Sequence, residues 1–218
     1  MATTTTAPPA GDGDERRLNS FGLTTEVLHT ALRPGLSRAA NRTAMALPSS
    51  AGTDIYYDTM EQLALALADV GWKLVWVDRQ PRLLHPSALV AFTLAAGTNV
   101  ANPDRRKSPR TRKKGKATRN SLAAPQVEVL PLFGEPEVEQ DAVLVAAATQ
   151  APLWLLLHER TARGLNLELS RPADMTEAGA VVAWDERILI GFLDLDGDLS
   201  IFDNPDDGDF DVPVAPRS

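Results

Sequence analysis

Three stretches, PLWLLLHE (152–159), GLNLELS (164–170) and AVVAWDERILIGFLDL (180–195), decide the fold. Each is a short apolar run, rich in Leu, Val, Ile and Trp and interrupted by isolated polar residues, which is the pattern of β-strands. Asp196-Gly197 is a hairpin signal joining the last of them to DLSIFD (198–203). The final third of the chain is therefore expected to be a sheet.

Working upstream, the apolar stretch Ala142–Leu157 is broken at Gln150-Ala151-Pro152. Its 16 residues fall short of the roughly 20 that a membrane span needs. Two buried elements are expected, and no membrane association. Gln126–Phe133 reads as a strand and Gly134–Asp141 as an acidic connection. Pro86 suits the first position of a helix, PSALVAFTLAAG, closed by Gly97. Trp72–Asp78 alternates as a strand. The helix before it opens on Asp58-Thr59-Met60-Glu61, an acidic capping box, places Met60, Leu63, Leu67 and Val70 on one face, and ends at Gly71. Thr24 or Thr25 caps a helix to about Arg33, stopped by Pro34-Gly35, and Ser37 caps another to Leu47, with Ser49–Asp54 as a loop.

Helices that lead and strands that follow predict an α+β fold: N-terminal helices packed on one side of a mainly antiparallel sheet, in a single compact domain over 21–203 with a long basic loop at 98–120. Residues 1–20 lack an apolar signal region and read as a disordered tail. Residues 204–218 read as an acidic tail. With no cysteine, disulfides, thiolate nucleophiles and Cys-based metal sites are excluded, which fits a cytoplasmic location. The Ala- and Arg-rich usage suggests a high-GC bacterial or phage genome.

Charge is the chain's second message. Residues 105–119, RRKSPRTRKKGKATR, hold nine of the 22 basic residues and no acid, while the remainder carries 13 bases against 29 acids, a balance of −16. Such a run stays solvated unless a polyanion or an acidic surface neutralises it. Arg105, Arg106, Lys107, Arg110, Arg112, Lys113, Lys114, Lys116 and Arg119 are thus candidate phosphate contacts for nucleic acid or another polyanion. The run contains no aromatic residue for base stacking. A partnerless solvated loop, and a loop folded onto the chain's own acidic tail, compete with this reading.

Thr24–Leu47 resembles a helix-turn-helix in outline, which makes Arg38 and Arg42 secondary nucleic-acid candidates beside a purely structural hairpin. Glu168, Asp185 and Glu186 are the acids a magnesium-dependent nuclease would need, but Ser170 stands where such a site places its lysine. Alternatively, Glu168, Arg171 and Arg187 form an ion-pair patch on the sheet's solvent face. Asp194, Asp196 and Asp198 match the start of a calcium loop that fails at Leu199 and Pro205. His29, His85 and His158 show no metal spacing, and Trp72, Trp76, Trp154 and Trp184 read as core. No cofactor or metal is expected. The expected function is a non-enzymatic, nucleic-acid-associated accessory protein, with a protein–protein module using the acidic surface and tail, or a metal-dependent nuclease, as alternatives.

Overall fold

Structure begins inside the segment expected to be a tail. The computed structural model describes residues 11–104, 106–113, 118, 141–177 and 179–195. Asp12–Asn19 form helix α1, with Asp12, Asp14 and Glu15 in its first turn and Arg16 and Arg17 in its last, an order that complements the helix dipole. Leu18 is fully buried, and Arg17 grips Glu186 at 2.6 and 3.0 Å. The anchor lies far along the chain, so residues 12–19 on their own gave no sign of it.

Thr24 caps α2 (Thr25–Ala40) as expected, its hydroxyl accepting the Val27 N–H at 3.1 Å. The helix does not stop at Pro34-Gly35. It continues through both, so the expected two-helix hairpin is one helix followed by a loop. Proline removes one helical hydrogen bond. Burial of Leu28, Leu32, Leu36 and Ala39, largely against α3 (Ser50–Ala68), offsets that loss. Gly35 is the crossing point: a Cβ there would lie 2.8 Å from the Ile55 Cα and 2.9 Å from the Asp54 carbonyl oxygen. Helix α3 also starts well before the expected cap at Asp58, absorbing the loop predicted over Ser49–Asp54. It ends as expected, with Gly71 at φ +88° and the Gly71 and Trp72 N–H groups bonded back to Ala68 and Leu67.

Strand β1 (Lys73–Val77) turns through Asp78 and Arg79, at φ 47° and 65°, into β2 (Gln80–Leu84). A two-residue turn with both φ positive is normally marked by Asn-Gly, and Asp-Arg conceals it. The helix predicted from Pro86 is instead a tight turn leading into strand β3 (Ala91–Thr98). Ala91–Ala95 are buried on both faces, so polar alternation is absent and the alanines favour a helix until neighbouring strands override them. Within the basic run, β4 (Arg110–Thr111) pairs with Gly97 and Thr98, a short strand where an unbroken loop was expected. Strands β5 (Leu153–Arg160), β6 (Gly164–Met175) and β7 (Val181–Asp194) follow the sequence reading, whereas the element before the break, helix α4 (Ala142–Gln150), is not the buried one expected: only its Ala148 is fully buried.

The result is an α+β protein: N-terminal helices and a mixed sheet of seven strands among the described residues, in a single compact body. The order is β1-β2-β3-β5-β6-β7, with β4 on the free part of the β3 edge. Every pair is antiparallel except β3–β5. One face, with Phe92, Leu94, Trp154, Leu156, Leu167 and Ile188, packs on α1–α3. The opposite face is covered too, a departure from the expected one-sided packing. There α4 covers Val75, Val77, Leu84 and Ala91, while Val100 and Ala101 cover Ala95, Leu155 and Leu157. Trp72 and Trp154 are core as expected. Trp76 is 47% exposed and Trp184 only partly buried, so the core reading fails for these two. No helix of the described residues is long and apolar enough to cross a membrane. The strand read over Gln126–Phe133, the connection before Asp141, the hairpin at Asp196-Gly197 and the acidic tail lie outside the described residues.

Two expectations follow from this packing. Gly35→Ala should push α2 from α3 and lower the unfolding free energy by about 1–3 kcal/mol, read as a shifted urea midpoint at constant m. An unchanged midpoint would show that the crossing tolerates a methyl group. The second concerns His29, whose Nε2 lies 2.8 Å from the Gly191 carbonyl. Burial holds its imidazole below the ordinary 6.5; the Gly191 bond opposes this, Arg33 adds to it and Glu15 opposes it. The unfolded chain therefore takes up the proton first on acidification. Stability contributed by neutral His29 is present above 6.5 and declines as pH falls from there toward the lower folded value. His85, lowered by burial, acts in the same direction. His29→Gln should flatten the loss of melting temperature between about pH 7 and pH 5.

Candidate functional site

Alternation along β6 sends Leu167 and Leu169 toward the helices and Asn166, Glu168 and Ser170 to the other face. Glu168 was expected at a solvent-exposed surface. It is instead fully buried, because the chain leaving β3 folds over it. Oε1 accepts the Ser170 hydroxyl at 2.6 Å and the Arg187 Nε–H at 3.1 Å. Oε2 accepts an Arg187 terminal N–H at 2.7 Å and the Ala101 N–H at 2.6 Å. Four donors meet the four acceptor positions of one carboxylate, the condition under which a buried ion pair is tolerated.

This pair anchors the root of the basic run. A second carboxylate, Glu159 at the end of β5, accepts the Val100 N–H at 3.0 Å. Asn99 and Ala101 take left-handed backbone at φ 58° and 53°. For alanine that conformation costs about 1–2 kcal/mol, offset by the bond to Glu168. Beyond the turn, Arg187 also donates to the Lys107 carbonyl at 3.3 Å, and the Trp184 indole N–H donates to the Pro109 carbonyl at 3.0 Å. Pro109 is buried, β4 pairs with β3, and the buried Thr118 hydroxyl accepts from the Gln80 side chain at 3.1 Å. The basic segment is therefore tied at several points across the sheet.

Its charges point outward. Arg106, Lys107, Arg110, Arg112 and Lys113 are exposed, and none forms an ion pair with a described acid. Elsewhere on the body, Arg17, Arg38, Arg42, Arg163, Arg171 and Arg187 each hold a carboxylate, while Arg16, Arg33 and Arg160 donate to backbone carbonyls. Arg105, Lys114, Lys116 and Arg119 lie outside the described residues.

The remaining candidates are dispersed. Arg38 pairs with Asp58 at 3.1 Å and Arg42 grips Asp54 at 2.7 and 2.5 Å, so both secondary candidates hold internal acids on a continuous helix and loop. Glu168, Asp185 and Glu186 are divided among Arg187, Arg171 and Arg17. Among the described residues, no group of three His, Asp or Glu is placed to hold a metal. Asp194 pairs with Arg163, and Asp196 and Asp198 lie outside the described residues. The histidines are apart: His29 on Gly191, His85 accepting the Ser87 N–H at 3.0 Å, and His158 buried on β5.

Two clefts open beside the anchored root and share Asn102. One, of 390 Å³, lies past the ends of the parallel strands β3 and β5, between Asn99, Asn102, Glu159, Arg160 and Asn166. The other, of 200 Å³, is lined by Asn102, Ser108, Trp184, Asp185, Arg187 and Leu189. Trp184 is the residue that sequence reasoning missed. Strict alternation would set it on the face opposite Arg187. The ladder shifts between Arg171↔Glu186 and Pro172↔Trp184, so Asp185 is an extra residue and Trp184 lines the same cleft as Arg187.

Comparison with protein-family models, with curated proteins and with solved structures gives no match. The chemistry of this site must be read from its own residues.

Removing one partner of the buried pair should be costly. Glu168→Ala leaves Arg187, Ser170 and the Ala101 N–H unmatched and should lower the unfolding free energy by about 3–5 kcal/mol. Milder than global unfolding, Glu168→Gln should raise hydrogen exchange of the amides in 99–111 more than in β5. Equal protection in both segments would show that Glu168 does not hold the loop.

Proposed function

We propose that this is a non-enzymatic, nucleic-acid-associated accessory protein of a bacterium or phage, acting in the cytoplasm, that grips phosphates through residues 105–119. One observation carries the reading: five exposed cations, Arg106, Lys107, Arg110, Arg112 and Lys113, cluster in one segment with no described carboxylate paired to them, whereas six arginines elsewhere on the body each hold an acid. A segment held by its backbone at Ala101, Lys107 and Pro109 keeps its side chains available while losing less conformational freedom on binding than a free tail. Point charges of this kind bind phosphate with little preference for sequence, and the strongly acidic remainder opposes nonspecific adhesion elsewhere.

The test is binding to labelled oligonucleotides across a salt series. Affinity should fall steeply as salt rises. Replacing the five cations by glutamine should weaken binding and reduce the log–log salt slope by up to about 3.5 on single strands. Absence of any retained DNA or RNA at low salt would remove the proposal, as would a five-glutamine variant with an unchanged slope.

A further inference from the structure

We propose that the bound nucleic acid is single-stranded and that Trp184 is a stacking platform for one unpaired base in the cleft beside the basic segment. This rests on the phosphate-gripping reading above and names its substrate class. The basic run carries cations and no aromatic ring, which by itself suits any polyanion. The bulge at Asp185 supplies the ring from another strand and sets it against the run.

Three features of the cleft suit a base. Trp184 is only partly buried, and its N–H is already given to the Pro109 carbonyl, so what the indole offers the cleft is carbon surface rather than a donor. Ring surface is what a base needs for stacking, and it accepts every base alike. The Arg187 guanidinium, the Leu189 side chain and the polar Asn102 and Ser108 complete the walls of a 200 Å³ space. Arg187 is held flat against Glu168 by its two-pronged bond and adds a second planar group. The acid at the rim, Asp185, is balanced by Arg171 at 3.3 Å, so it does not repel a neighbouring phosphate as an unmatched carboxylate would. Lys107 and Arg110 flank Ser108 and Pro109 in the chain, which sets exposed cations on either side of the residues at the cleft. A base pair locked in a duplex cannot leave its stack to enter without paying for unpairing, so a single strand is the preferred occupant.

The experiment compares, on the unmodified protein, a thymine oligonucleotide with an abasic oligonucleotide of equal length, which has the same phosphates and no bases. The base-bearing strand should bind more tightly by a factor on the order of ten and quench part of the tryptophan fluorescence. Trp184→Ala should bring the two ligands to equal affinity, and Trp184→Phe, which keeps a ring, should retain most of the discrimination. Equal affinity of the unmodified protein for both strands, with the five-glutamine variant binding both more weakly and with a reduced salt slope, would overturn the stacking proposal and leave the phosphate reading standing. Tighter binding to duplex than to single strands would also overturn it. Loss of all binding by the unmodified protein would take both proposals down.

Discussion

A fully buried carboxylate forces the structure around it. Taking Glu168 and Arg187 out of water costs several kcal/mol per ion, recovered only where geometry is good and every remaining hydrogen-bonding position is filled. Arg187 fills two positions, Ser170 a third, and the fourth must come from outside the β6–β7 hairpin. The Ala101 N–H provides it. That requirement draws the chain leaving β3 across the far face of the sheet, strains Ala101 into left-handed backbone, and shields Leu155 and Leu157 from water. A further N–H of Arg187 then reaches the Lys107 carbonyl, so one ion pair joins the hairpin's interior to the start of the charged segment.

Topology explains why so long a segment is available. Strands β3 and β5 are parallel neighbours, and a parallel pair cannot be joined by a tight turn. The connection between them has to travel back along the sheet, and it contains the basic run and α4. A crossover is thus a connection that is long by necessity, and it can hold many residues without disturbing a ladder. The charged residues sit there, with β4 and the carbonyl contacts of Lys107 and Pro109 fixing the stretch nearest the sheet.

Much of the frame was legible in the sequence. The strand pattern from Leu153 onward, the Thr24 cap, the stop at Gly71 and the break before Leu153 are local signals, and local physics honours them. What failed depends on distant partners. Pro34-Gly35 reads as a stop, but Gly35 serves the approach of Ile55. Ala91–Ala95 read as helix because a strand buried on both faces shows no alternation. For the site, the charge of the run was evident and its anchoring was not. Glu168 between two leucines looks like any residue on a solvent face, and nothing within GLNLELS tells that Ala101 will cover it. Trp184 was hidden by a single extra residue in β7, since a bulge reverses the parity on which strand reading depends.

Anchoring and charge divide the labour of this face. Were the cations themselves used to fix the loop, as Arg38 and Arg42 fix the end of α2 on Asp58 and Asp54, their charge would be neutralised internally. Here the loop is held through backbone groups, by Glu168, Glu159, Arg187 and Trp184, all of which belong to the sheet. Apart from the Thr118 hydroxyl on Gln80, the load is on backbone, and the described cations Arg106, Lys107, Arg110, Arg112 and Lys113 stay exposed toward solvent. The same arrangement makes the two properties separable in principle: altering the sheet residues changes how firmly the segment is held, whereas altering the cations changes what it attracts.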